Sequence, residues 1–175
     1  MDEKAFKKIV LACKDQVFNY ALHMVRIQED AEDITQEAFI RLWKYRWSSH
    51  IKSPRAWLFR VTHNLCIDRV RMQSRQNRAF TSMDCAKSET VEQYQQPEQI
   101  LKTERKELQQ QISSALANMP ERFRSVIVLR EIQGFSYREI SEILDMKMGN
   151  VKTNIHRAKS ALKKALAPYF KNFQE

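Results

Sequence analysis

Along most of this chain apolar residues recur at steps of three and four, and no stretch alternates convincingly between apolar and polar. A half-buried strand needs a period of two, whereas a helix with one buried stripe needs a period of about 3.6. The expected fold class is therefore all-α. Glycine narrows the choice further, because only Gly134 and Gly149 occur in 175 residues. Dinucleotide- and phosphate-binding loops need several glycines to bring the backbone close to phosphate, so neither motif can be built here.

Punctuation places the helices. Phe6, Ile9, Val10, Cys13, Val17, Ala21 and Met24 mark a first helix. The acids of "QEDAED" suit the positive start of a second, which should run to about Arg46. Ser53 before Pro54 offers an N-cap followed by proline at the first helical position, so a third helix should extend from there to about Arg75. Between about Asn77 and Gln96 the period vanishes and the composition leans acidic, which predicts a flexible linker. Leu101, Leu108, Ile112, Ala115, Leu116 and Met119 restart the pattern, and Pro120 opens a helix that should close near Gly134. Ser136 and Glu139 in "SYRE" form a capping box, so a short helix should run from Tyr137 to about Leu144 with a basic helix behind it. The expected organisation is two small helical domains, 1–77 and 98–175, joined by a linker at 78–97.

Thirty Lys and Arg against 21 Asp and Glu give a net charge of +9, which favours a polyanionic partner, nucleic acid or an anionic membrane surface. No apolar run approaches the roughly 18 residues of a membrane span. The opening "MDEKAFKKIV" lacks the cationic-then-apolar layout of a signal peptide, so a cytoplasmic protein is expected. Cys13, Cys66 and Cys85 are odd in number and widely spaced, which argues against scaffold disulfides and a zinc finger. His63 and Cys66, one turn apart, are too few ligands for zinc. With no carboxylate pair or Ser/His/Asp grouping standing out, the expectation is a non-enzyme with no metal, cofactor or small-molecule substrate.

Three helical surfaces exceed what a core needs. On the last helix Met148, Val151, Ile155, Ala158 and Leu162 share an inner side. Gly149, Thr153, His156 and Ser160 lie opposite, flanked by Lys152, Arg157, Lys163 and Lys164, and no acid follows Asp145 before Leu166. Short side chains at the centre and cations at the edges suit a major groove, where base edges need close approach and phosphates need Lys and Arg. The short helix and tight turn before it complete a helix-turn-helix, with Asp145 at a turn position where left-handed geometry is tolerated. The plainer alternative is a solvated basic face. On the third helix Leu58, Val61, Leu65 and Met72 point inward, while Trp57, Arg60, Asn64, Arg71 and Arg75 form a stripe able to stack on bases and hold a phosphate backbone. Its alternative has Trp57 at a core edge and the arginines in water. The second helix buries Ala31, Ile34, Ala38, Leu42 and Tyr45, leaving Phe39, Ile40 and Trp43 beside Asp33, Gln36 and Glu37. That is either a protein-binding patch with an acidic rim or a helix buried on both sides.

"DAEDITQEAFIRLW" followed by "SPRAWLFRVTHNLCIDRVR" resembles the second region of the extracytoplasmic-function RNA polymerase sigma factors, the smallest members of the sigma-70 family. "LANMPERFRSVIVLREIQGFSYREISEILDMKMGNVKTNIHRAKSAL" resembles their fourth region, so the resemblance spans nearly the whole chain. It implies an alternative sigma factor that binds core polymerase, directs it to particular promoters and promotes strand opening. It implies docking of Asp33, Gln36, Glu37, Phe39 and Trp43 on the β′ clamp helices, and a β flap contact for the second domain. Recognition and opening of the minus-ten element would fall to Trp57, Arg60, His63, Asn64, Asp68, Arg71 and Arg75. Recognition of the minus-thirty-five element would fall to Arg130, Gly149, Asn150, Lys152, Thr153, His156 and Arg157. The linker acids Asp84, Glu89, Glu92 and Glu98 would follow the RNA exit path, and an anti-sigma factor is an implied partner. Lys147, Asn150 and Asn154 depart from the family's usual proline, threonine and arginine, which bears on promoter sequence and not on the role.

Overall fold

Local chemistry sets where each helix starts. The Asp2 carboxylate accepts from the Ala5 amide at 2.7 Å and opens α1 (Glu3–Val25). The helix stops at Arg26, whose left-handed φ of 68° turns the chain directly into α2 (Gln28–Lys44). Ser53 caps α3 (Pro54–Phe80), its hydroxyl accepting from the Ala56 amide at 3.3 Å. This helix runs five residues past the expected Arg75 and into the segment read as linker.

The computed structural model describes residues 2–45, 53–80 and 102–171, with side chains at 76–80, 102–107 and 169–171 left aside. The rest of the expected linker, with its acids, and Cys85 lie outside the described residues. After it come α4 (Lys102–Ala117), α5 (Glu121–Ile127), α6 (Tyr137–Ile143) and α7 (Met148–Lys171). A π-helical turn at Val128–Ile132 extends α5, and Gly134 ends it with a φ of 72° that only glycine adopts without strain. The capping box forms as read: the Glu139 amide donates to Ser136 Oγ at 3.3 Å, and the Ser136 amide to Glu139 Oε2 at 2.8 Å. All elements among the described residues are helical.

Helices α1–α3 form one bundle around Tyr20, Met24, Leu42 and Leu58, and α4–α7 form a second around Val126, Leu129, Ile140, Ile143 and Ile155. The two share one continuous core. Phe59 of α3 meets Phe135, just ahead of α6, edge-on at 4.8 Å, and neither ring reaches solvent.

Three residues read as inward are exposed in part: Tyr45 by 59%, Met72 by 47% and Met148 by 38%. Tyr45 caps the end of α2 and Met148 begins α7, so neither has a neighbouring turn to complete its pocket. Met72 lies on the distal half of α3 at an open groove beside Asp33, Ile34 and Glu37. Phe59, Thr62, Cys66 and Ile67 are buried in its place, because α3 packs against α1, α2 and α6 and not against one neighbour.

Candidate nucleic-acid interface

The second bundle presents a helix-turn-helix. Asp145 takes the left-handed turn with φ 52°, and the Met146 amide donates back to Ser141 at 3.0 Å. Val151, Ile155 and Ala158 then face inward at no more than 2% exposure. Gly149, Asn150, Lys152, Thr153, His156 and Arg157 all face water, and the space beside Gly149 is open for close approach. Two side chains are partly committed elsewhere. Thr153 donates to the Gly149 carbonyl at 3.0 Å, and Lys159 pairs with Glu131 at 3.0 Å. Arg130 is half-buried, donating to the Phe135 carbonyl at 2.9 Å with its guanidinium 4.9 Å over Tyr137. It therefore holds the loop before the motif at least as much as it faces outward.

The α3 stripe divides. Arg60, Asn64, Asp68, Arg71 and Arg75 are exposed along one side. Trp57 is half-buried, its ring 6.0 Å from Tyr45. His63 turns inward, where Nδ1 meets the Tyr20 hydroxyl at 2.9 Å. Burial pushes its pKa down from the ordinary 6.5 to about 4, so at neutral pH it carries no charge for a phosphate. The same surroundings push the Tyr20 hydroxyl and the Cys66 thiol up.

Arg69 was missed in the sequence because it lies off the outward stripe. It donates to the buried Asp30 carboxylate at 2.5 Å, and Gln73 donates to the other oxygen at 2.7 Å. Asp30 sits in the first turn of α2, so this brace fixes how the distal half of α3 is rotated. The clue available was an acid between apolar Ile27 and Ala31 at a helix start.

On α2 the expected patch is continuous but not free-standing. Asp33 and Gln36 are exposed, and Glu37 is paired with Arg41 at 2.7 Å. Phe39 and Trp43 are half-buried, with Trp43 packed on Phe6 of α1 at 4.8 Å between ring centres. Neither ring is sealed in, and Ile40 beside them is 46% exposed. Among the described residues no His, Cys, Asp and Glu group is placed to hold a metal, and no helix is long and apolar enough to cross a membrane.

One helical bundle carries an exposed arginine stripe and the other a helix-turn-helix whose last helix turns a basic face outward. The family model for sigma-70 region 2 matches residues 9–76, and that for sigma-70 region 4 matches residues 109–162. The chain is 36% identical to the ECF RNA polymerase sigma factor SigW of Bacillus subtilis, over 94% of this chain and 90% of that protein. It is 30% identical to the ECF RNA polymerase sigma-E factor of Escherichia coli K12, over 95% and 89%. This chain belongs to the ECF RNA polymerase sigma factors. Its fold is that of the sigma factor RpoE solved in complex with the anti-sigma factor NepR from Bartonella quintana, with a TM-score of 0.75 and 24% identity over 94% of this chain and 98% of that one.

Proposed function

We propose that the chain is a dissociable specificity subunit of RNA polymerase, cytoplasmic, with one module for each of two promoter elements. The observation that carries this reading is the outward side of α7, where Lys152, His156 and Arg157 are exposed while Val151, Ile155 and Ala158 anchor the same turns in the core. A helix so backed can enter a major groove without unpacking. Its contacts to the minus-thirty-five element are Gly149, Asn150, Lys152, Thr153, His156 and Arg157, with Arg130 bracing the motif. Arg60, Asn64, Asp68, Arg71 and Arg75 take the minus-ten element, and Trp57 lies beside the opened strand. His63 supports the stripe from within.

Asp33, Gln36, Glu37, Phe39 and Trp43 take the β′ clamp helices, and the second module takes the β flap. The modules correspond to about 1–77 and 98–175, with 78–97 as the tether. Tethering multiplies two weak DNA contacts by effective concentration, so neither module alone binds tightly. An anti-sigma factor as regulator is supported by RpoE, solved with NepR, and by CnrH, solved with the cytosolic domain of CnrY.

Run-off transcription with purified core polymerase tests the reading: specific initiation should require this chain. Tight binding of the isolated chain to a duplex promoter, with no dependence on core, would instead identify a stand-alone regulator. Reversing charge with Glu37→Lys tests the docking role better than removing Trp43, whose ring also supports Phe6.

A further inference from the structure

Helix α3 changes character after Ile67, the last of its described residues that is buried. Val70 still leans on the core, but of residues 71–75 none is buried. Ile34, Leu65 and Met72 line an open groove where an apolar contact between α2 and α3 would lie. Ile67 to Arg75 is about 12 Å of helix, and so short a stretch is marginal in water on propensity alone. Arg71 and Arg75 stand on it, both exposed.

What holds this stretch is polar. Arg69 and Gln73, one turn apart, take the two oxygens of the buried Asp30 carboxylate at 2.5 and 2.7 Å. Asp30 lies in the first turn of α2, where the helix dipole favours a carboxylate. The other arm of Arg69 is 4.0 Å from Asp33, a pair too open to water to hold a helix by itself. Two bonds from successive turns to one fixed acid set the rotation of α3 and its axial position together. At about 100° per residue, Arg71 and Arg75 follow Arg69 and Gln73 by about 200°. The brace therefore faces α2 while the two arginines face nearly the opposite way. A slip of about 30° would carry a group about 6 Å from the helix axis through about 3 Å, a whole hydrogen-bond length.

We propose that Arg69 and Gln73 are positioning residues for the downstream promoter contact: braced on Asp30, they fix the angle at which Arg71 and Arg75 meet the minus-ten strand, without touching DNA themselves. The inference rests on the promoter-recognition reading, but the brace itself can be measured without DNA. An unbraced α3 keeps its arginines, so attraction to phosphate survives while the choice of bases blurs. Upstream selection depends on α7 and stays as it is.

The test uses the full chain. In amide hydrogen exchange, Arg69→Met should lower protection over residues 70–75 by about tenfold or more, with residues 58–67 unchanged. With core polymerase and a randomised promoter library, the same variant should broaden selection at the minus-ten element alone, while its affinity for core stays within about twofold of the parent's. Val17→Ala supplies the control, since it truncates the core of α1, lowers melting of the same module and leaves the brace intact. Its minus-ten selection should match the parent's; equal broadening in Val17→Ala would reduce the brace to a matter of stability and overturn the proposal. Retained protection at 70–75 in Arg69→Met, or lost protection with unchanged selection, would overturn it as well. Should Arg69→Met fail to fold, Gln73→Leu, which leaves the ion pair in place, must show the same pattern to a smaller degree, and parent-like selection there would sink the assignment. If the parent itself initiates nowhere, the promoter-recognition reading fails, while the exchange measurement still decides whether Asp30 holds the distal part of α3.

Discussion

The two helices with exposed basic faces, α3 and α7, differ in how much of their circumference the fold uses. Helix α7 packs from one side, against α4, α5 and α6, and its buried residues Val151, Ile155 and Ala158 form one stripe. Helix α3 is wrapped by α1 and α2 and touched by α6, so Leu58, Phe59, Thr62, Cys66 and Ile67 are buried around more than one face. A helix packed on one side separates core from function by position alone. On a helix packed on several sides, the two uses interleave residue by residue.

The contrast can be broken or sharpened by substitution. On α7, Ile155→Ala should cost about 3 kcal/mol in denaturant unfolding of the second module, since it opens a fully packed site. A cost under about 1 kcal/mol would mean that the inner face is not the anchor. On α3 the neutral, half-buried His63 should make the first module acid-sensitive. Its folded pKa of about 4 lies below the ordinary 6.5, so the unfolded chain binds the proton first. Stability is then full above about 6.5 and falls as pH drops towards 4, by up to about 3 kcal/mol. His63→Phe should flatten that profile; a variant with the parent's pH dependence would remove His63 as the cause.

Arg69→Met leaves the Asp30 carboxylate with Gln73 alone and should destabilise by about 2 kcal/mol, discounted because Arg69 is partly open to water. Charge reversal at both positions, Asp30→Arg with Arg69→Asp, should recover part of the loss. Ser136→Ala removes one half of the capping box and should cost about 1 kcal/mol. The smallest stability effect is expected at His156→Ala, under about 0.5 kcal/mol, although upstream-element use should drop clearly. A large loss of stability there would erase the distinction between the two sides of α7.

The same contrast governs what was legible in the sequence. Helix starts at Ser53 and Ser136 and turns at Gly134 and Asp145 were readable because capping and left-handed geometry are local chemistry. The outward face of α7 was readable because one-sided packing obeys a single period. For α3, an inner line through Met72 was expected and the structure instead buries Phe59, Cys66 and Ile67, because the third neighbour, α6, arrives from a segment about eighty residues away. Distant partners also hid the roles of Arg55, Arg69 and Arg124, each of which bonds across helices. For Trp43 and Trp57 the sequence left open a free aromatic surface or a core edge, and both rest partly on neighbours, Phe6 and Tyr45. Ion pairs and ring contacts between remote segments leave no periodic trace.

A randomised promoter library, transcribed with core polymerase and this chain and sequenced at the start sites, tests the division of labour most directly. Lys152→Ala with His156→Ala should erase sequence constraint at the upstream element alone, and Arg60→Ala with Arg71→Ala at the downstream element alone. If both pairs relax the same element, or neither changes the selected sequences, the assignment of one module to each element is wrong.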